Sequence, residues 1–342
     1  VKAKPSMKDI SVICGVSIAT VSKALNDQND ISREMKEKVR KVAGDLGYLP
    51  NSAAQALKTN KSNNLGVLFI DEARSGLTHD YFAHVLDSFK RTAEENGYDI
   101  TFINGSQKDN GSVSYLAHAQ YRGFDGVVIA CVDFYDPRVE QLVRGNIPVV
   151  TIDHVYDNRV AIISDNVNGM KDLLTYCYGQ GHRRIAYIHG AYSSVTQSRL
   201  SSFYKTAEAL HLDIPEEYIL EADYRSTDKA YLCTQKLLEL PVPPTCILYP
   251  DDFACFGGIS AIQARGLRIP EDISIAGYDG IPIAQQFRPQ LTTVMQDTER
   301  LGSLAAQKLI GLIDQPRTTL VEQLVVEGHV EPGGSVGKVQ VD

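Results

Sequence analysis

The sequence predicts an all-α headpiece followed by an α/β core built from two doubly wound subdomains with parallel sheets. Three observations predict it. Residues 7–48 carry apolar positions at helical spacing, broken by turn residues. From Leu65 onward, short β-branched runs alternate with helical stretches. That alternation runs once and begins again near Asp165, so one core unit follows another. At 342 residues the chain exceeds one ordinary core, which fits two or three domains.

The first helix is expected over residues 7–14, with Gly15-Val16-Ser17 as a tight turn. A second is expected over 18–26, with Ser17 placed to cap it. After the polar loop DQND, Ser32 can cap a third, 33–46, whose Val39, Val42, Ala43 and Leu46 fall at helical spacing. Gly47 closes it. Three short helices enclose a small core, so this unit is expected to be marginally stable alone. Pro50 then opens PNSAAQALKTNKSNN, which favours helix in its first half and reads as a polar tether in its second.

LGVLFI, YDITFI, GVVIAC and IPVVTI are apolar, β-branched runs of the kind found in parallel strands covered on both faces. Helical stretches over 81–96 and 136–145 lie between them. RIAYIHG, EYILEA, TCILYP and ISIAGY repeat the pattern, with right-handed crossovers expected throughout. Two subdomains joined by several chain crossings imply a hinge and a cleft, the usual place for a small ligand. The crossings are expected near 164–168, 291–294 and 320–325. This divides the chain into a headpiece (1–50), a hinge and linker (51–63) and a core (64–335). The first subdomain takes 64–164 and 293–322, the second 165–292 and 323–335.

Charge is unevenly placed. The whole chain is at −8, yet residues 1–63 carry a net +5 and the remainder −13. A basic headpiece before an acidic body assigns any polyanion to the headpiece. No apolar run approaches the ~18 residues of a membrane helix. The opening VKAKPSMKD has no apolar stretch behind it and does not read as a secretory signal, so a cytoplasmic protein is expected. Cys14, Cys131, Cys177, Cys233, Cys246 and Cys255 are scattered without a C-x-x-C pair, which fits reduced, buried thiols. The histidines show no H-E-x-x-H or similar spacing, so neither a metal nor another cofactor is expected. The absence of G-x-S-x-G, a Walker loop and a helix-opening G-x-G-x-x-G speaks against an enzyme.

Residues 15–26, GVSIATVSKALN, give the headpiece its purpose. In a helix-turn-helix the start of the second helix meets base edges in the major groove, and small residues there permit close approach. Ile18, Ala19 and Lys23 share one face. Lys23 can donate to guanine O6 and N7, and Ile18 and Ala19 offer apolar surface to a thymine methyl. Ser17, Thr20, Ser22 and Asn26 are short donors suited to phosphates, although Thr20 and Ser22 serve equally well in ordinary capping. Val21 and Leu25 face inward.

MKDISVICGVSIATVSKALN, ISREMKEKVRKVAGDLGYLPNSAAQALKT, SDNVNGMKDLLTYCYGQGHRRIAYIHG, DDFACFGGISAI and IPEDISIAGYDGIPIAQQFRPQLTTVMQDTERLG together resemble the LacI/GalR family of bacterial transcription repressors. The likeness covers essentially the whole chain. It implies a helix-turn-helix headpiece, a hinge helix and a type I periplasmic-binding-protein-like core. Ile18, Ala19 and Lys23 become the base-reading positions, Lys23 standing where many members carry Arg, whose fork a point charge does not replace. In the family the counterpart of 52–58 folds into a helix on the operator, paired across a dimer. Asn51, Ala54, Leu57 and Lys58 are the implied contacts there, with Leu57 as a minor-groove wedge and Gln55 where Arg is common.

The resemblance also implies a pocket for a small effector, a sugar or sugar derivative. Arg199 matches the family's pocket arginine and Asp279 its pocket aspartate. Asp251 and Gln296 sit at pocket positions, and Tyr224 falls where an aromatic stacks on the ligand. Tyr81 and Phe82 line the other lobe, where Asp71 and Asp153 end strands. Asp252 reads as a helix cap. DEARSGLTHDYF departs from the family's Asn-Pro motif, so His79 and Arg74 either reach the cleft or decorate a loop. The implied partners are a pseudo-palindromic operator, the effector and a second copy of the chain. The tail GGSVGKVQVD lacks the heptads that would join two dimers. The resemblance leaves open whether ligand tightens or releases DNA, and whether a phosphorylated protein takes part. A sugar-binding protein without a DNA role is the rival reading, against which the first 60 residues speak.

Overall fold

The computed structural model describes residues 5–49, 61–71, 75–103 and 114–339. The chain divides into two compact units, residues 1–62 and 63–342.

In the first unit, α1 (Met7–Cys14), α2 (Ile18–Leu25) and α3 (Arg33–Leu46) start where a serine can satisfy free backbone amides. Ser6 and Asp9 form a reciprocal capping box, while Ser17 and Ser32 accept from the amides of Thr20 and Met35. Gly15 and Gly47 close α1 and α3 at φ 69° and 64°, a conformation that penalises a Cβ. α2 ends one residue before the expected position, because Asn26 caps it and donates its side-chain amide to the Ser22 carbonyl at 2.7 Å. Ile10, Cys14, Val21, Ala24, Val39 and Ala43 are buried between the helices, with Leu25 packed against them.

The second unit opens with β1 (Asn64–Phe69), α4 (Asp80–Glu95), β2 (Asp99–Phe102), α5 (Tyr115–Arg122), β3 (Gly126–Ala130), α6 (Pro137–Arg144), β4 (Val149–Ile152) and β5 (Val160–Ser164). Then come α7 (Asn166–Gly179), β6 (Ile185–His189), α8 (Ser194–Ala209), β7 (Ile219–Glu221), α9 (Thr227–Leu238), β8 (Cys246–Leu248), α10 (Asp252–Ala264), β9 (Ser274–Asp279) and β10 (Thr292–Met295). The chain closes with α11 (Thr298–Asp314), β11 (Gln323–Val326) and β12 (His329–Glu331). One sheet runs β2-β1-β3-β4-β5-β11, all parallel. The other runs β7-β6-β8-β9-β10-β12, parallel except for β12.

Alternate residues of each strand serve opposite faces. Leu65 and Val67 of β1 pack with α4 and α11, whereas Leu68 packs with α5 and α6. α11 lies so near α4 that a Cβ on Gly302 would stand 2.1 Å from the Val85 carbonyl oxygen. The second sheet is covered in the same way, by α7 and α8 on one face and by α9 and α10 on the other. Among the described residues no helix is long and apolar enough to cross a membrane.

β10 belongs to the second sheet and β11 to the first, so the chain crosses after Met295 and again after Val326, just beyond the spans expected near 291–294 and 320–325. Residues 293–295 and 323–326 therefore exchange subdomains relative to the expected division. The reason is non-local: the sheet a short strand joins is decided by its neighbour's backbone, not by its own apolar pattern. β5 is a further strand that the pattern passes over. It runs parallel to β4 after only a short connection, where a crossover of a dozen or more residues is usual.

Candidate functional site

The carboxyl ends of both sheets face a cavity of about 680 Å³ between the two lobes. Asp71 lies just beyond β1, Cys131 directly follows β3 and Asp153 directly follows β4. From the other lobe, Asp279 ends β9 and Gln296 follows β10. All nine residues expected at a pocket line this cavity: Asp71, Tyr81, Phe82, Asp153, Arg199, Tyr224, Asp251, Asp279 and Gln296. His79 lines it too, while Arg74 lies outside the described residues.

Arg199, on α8, anchors the second-lobe wall. It is 3% exposed. Its Nε donates to Asn166 Oδ1 at 2.7 Å and its Nη1 to the Pro250 carbonyl at 2.8 Å, and the guanidinium lies 3.4 Å from the centre of the Tyr278 ring. Asp279 Oδ1 is 3.9 Å from Nη2 and accepts from Gln296 Nε2 at 2.6 Å. Burial pushes the Asp279 carboxyl up to about 7; Arg199 partly offsets the rise and Asp251 adds to it. Tyr224 shares a hydrogen bond of 2.9 Å with Thr196 Oγ1. Its ring lies where a Cβ on residue 190 would be 2.2 Å away, so Gly190 makes the room for it.

Asp251 faces the cavity with its oxygens already engaged. Oδ1 accepts the Ala254 amide and Oδ2 the Arg225 amide, each at 2.7 Å, which makes Asp251 the cap of α10. The cap expected at Asp252 therefore falls one residue earlier. Asp252 is fully buried instead, accepting from Thr293 Oγ1 at 2.6 Å and the Ile281 amide at 2.9 Å. In the first lobe, Asp153 accepts from the Ser164 amide at 2.7 Å and the Tyr81 hydroxyl at 3.1 Å. Burial raises the pKa of both Asp153 and Asp251.

Sequence reasoning missed the residues that join the lobes. Arg225 Nη1 meets Asp80 Oδ2 at 3.1 Å and its Nη2 donates to the Thr78 carbonyl at 3.3 Å. Ser194 Oγ donates to the Asp153 carbonyl at 3.0 Å. The Tyr135 and Tyr192 rings approach to 6.1 Å, beside a stack of Phe134 on His154 at 4.3 Å. No local motif marks these positions. One backbone signal does: Cys131, Asp153, Arg225 and Asp279 all line the cavity at positive φ, 52°, 58°, 58° and 102°. Such conformations are costly for residues with a side chain and gather at functional sites.

In the headpiece, α2 presents Ile18, Ala19 and Lys23 as exposed residues. Lys23 pairs with Asp30, also exposed. Ser17 accepts the Thr20 amide at 3.1 Å and its hydroxyl bonds that of Thr20 at 2.9 Å, so both serve the cap. Asn26 and Ser22 are likewise joined at the helix end. Asn51, Ala54, Gln55, Leu57 and Lys58 lie outside the described residues.

Known proteins share this architecture. Residues 6–51 match the model for bacterial regulatory proteins of the lacI family, and residues 174–336 that for a periplasmic binding protein-like domain. A probable HTH-type transcriptional repressor, ExuR of Bacillus subtilis (strain 168), is 31% identical over 92% of this chain and 93% of its own length. The HTH-type transcriptional repressor PurR of Pasteurella multocida (strain Pm70) is 29% identical over 95% and 96%. Among solved structures, the lac repressor dimer bound to operator and the anti-inducer ONPF superposes with a TM-score of 0.84 at 24% identity, covering 98% of this chain and 100% of that one. A helical headpiece, two parallel sheets meeting at a cleft, and a full-length relative at this identity lead to one assignment: the chain belongs to the lacI family of bacterial regulatory proteins.

Proposed function

We propose that this transcription regulator is a cytoplasmic homodimer that reads a pseudo-palindromic operator through α2. A small, uncharged, polyhydroxylated effector in the cleft sets its grip on DNA, and it catalyses no reaction. The observation that carries the effector reading is the make-up of the cleft wall. Asp153 and Asp279 offer paired oxygens to neighbouring hydroxyls, Tyr224 and Phe82 offer rings to C–H faces, and Arg199 holds the wall in place. Seven aspartates line the cavity against two arginines, Arg199 and Arg225, which disfavours an anionic ligand.

Two headpieces carried by a two-fold dimer present two copies of Ile18, Ala19 and Lys23 to the two half-sites. The Lys23–Asp30 pair is exposed, and such pairs contribute only about 0.2–1 kcal/mol, so base contact can replace it at little expense. Lys23→Ala should weaken operator binding by about 1–3 kcal/mol per lost base contact and relax preference at one symmetric pair of positions. Fluorescence anisotropy on operator variants measures this. Equal loss on every DNA sequence would make Lys23 a phosphate contact instead. For the cleft, calorimetry with a panel of neutral sugars and sugar acids is the test, with Tyr224→Ala expected to weaken the bound sugar about tenfold, or 1.4 kcal/mol. Binding of sugar acids alone would overturn the charge argument.

A further inference from the structure

Three side chains distant in sequence meet in the first-lobe wall of the cleft: Asp71 beyond β1, His79 at the start of α4 and Cys131 beyond β3. Their donor atoms all lie within 4.8 Å of one another. The sheet fixes two of them. Phe69 pairs with Ala130, and the Ile70 amide donates to the Cys131 carbonyl at 3.2 Å, so the chain segments carrying Asp71 and Cys131 run side by side. His79 is held as the N-cap residue of α4 and by its ring against Phe82 at 5.0 Å. Asp71 is steadied by the Ser75 amide, which donates to its Oδ2 at 2.7 Å.

Two further facts mark the cluster as more than proximity. His79 is 7% exposed, and its Nδ1 is buried without a hydrogen-bond partner among the described residues. A buried ring nitrogen left so is destabilising and calls for an explanation. Cys131 holds φ 52°, a left-handed backbone that a residue with a side chain seldom adopts. We propose that Asp71, His79 and Cys131 bind one divalent transition-metal ion of the zinc class in the wall of the cleft, leaving a coordination position open to a ligand there. A thiolate, an imidazole and a carboxylate are the donor set that selects zinc over magnesium or calcium.

Distance permits it. Three atoms no more than 4.8 Å apart always share a point within about 2.8 Å of each, against about 2.0–2.3 Å for zinc bound to nitrogen, oxygen or sulfur. Each side chain needs to move by less than about an ångström. On binding, the Cys131 S–H bond breaks, the sulfur keeps the electron pair and bonds the metal, and the proton passes to solvent. The two negative donors balance the dication.

The test uses the full chain, stripped with chelator and titrated with cobalt(II) in the absence of DNA and sugar. We expect one cobalt per chain, with a thiolate-to-metal charge-transfer band and the visible bands of a tetrahedral site, both displaced by zinc. Cys131→Ser should remove the charge-transfer band, and His79→Gln should weaken affinity at least tenfold. As a measurement independent of any variant's folding, zinc should protect Cys131 of the unaltered protein from alkylation, read by mass spectrometry. Cys131 is half-buried whereas the other five cysteines are buried, so native alkylation reports on it preferentially. No metal uptake, a charge-transfer band that survives in Cys131→Ser, or alkylation indifferent to zinc would each overturn the site. None of these outcomes touches the regulatory reading, which involves neither cobalt nor zinc.

Discussion

The two lobes share one strand order, but only the second brings cations to the cleft, beside four aspartates of its own. Arg199 and Arg225 both come from the second lobe, whereas the described first-lobe wall offers Asp71, Asp133 and Asp153 and no lysine or arginine. The ion pair that closes the lobes follows this division, with Arg225 from one side and Asp80 from the other. Their supports differ as well. The second-lobe wall is braced by a buried cation stacked on an aromatic ring, and the first by close backbone packing of α4 on α11. Equal strand order therefore does not mean equal sensitivity: the second lobe should respond to charge, the first to volume.

Removing the brace gives the largest expected effect. Arg199→Ala leaves Asp279 and Asn166 without their buried partner and should destabilise the second lobe by about 3–5 kcal/mol, seen in urea unfolding. A loss under about 1 kcal/mol would show that the wall does not depend on its cation. The effect on effector binding has to be judged against this destabilisation, which is why Tyr224 is the better probe of ligand contact.

Proton uptake comes next. Asp279 is raised to about 7 in the folded chain, against about 3.9 when unfolded, so the folded state holds the proton over that interval. Its contribution is fully present below pH 4 and is lost as pH rises to about 7, with a slope of at most about 1.4 kcal/mol per pH unit. Asp279→Asn should flatten the slope between pH 5 and 7 in thermal or urea melts. An unchanged slope would assign it to Asp153, Asp251 or Asp252, whose pKa values burial also raises.

The smallest effect is at the contact between the lobes. Asp80 is partly exposed, so Asp80→Asn should shift opening by no more than about 1 kcal/mol, and less at high salt. Hydrogen exchange at Thr78 to Asp80 and at Arg225 would report it. Opening that is insensitive to both the substitution and salt would remove charge from the account of closure.

How much of this was legible in the sequence depends on how far apart the partners lie. α1 and α3 have the expected ends because Ser6, Ser32, Gly15 and Gly47 act within one turn of the helices they bound. Arg199 and Asp279 were found from the motifs around them, and the structure brings both to one cavity. Arg225 and Asp80 are 145 positions apart and neither sits in a distinctive motif. The grouping of Asp71, His79 and Cys131 depends on β1 and β3 being neighbours, which no spacing of histidines or cysteines encodes. Asp251 and Asp252 make the same point at close range, since two adjacent aspartates differ in role only through what the fold sets around them.

The late return of the chain to both lobes bears on how the protein is made. During synthesis the first sheet awaits β11, and the apolar side of α4, with Val85 and Phe89, awaits Leu301, Leu309 and Ile310 of α11. The second sheet awaits β12, and Ser335 then ties the tail to Gln290 and Ile275. Neither lobe is thus a contiguous piece that could mature on the ribosome while the other is still being translated. A chain broken off before residue 298 would present two unfinished sheets with apolar faces bare, a natural substrate for chaperones and proteases. Loss of the last few dozen residues should therefore remove the whole core from the cell, not trim one of its halves.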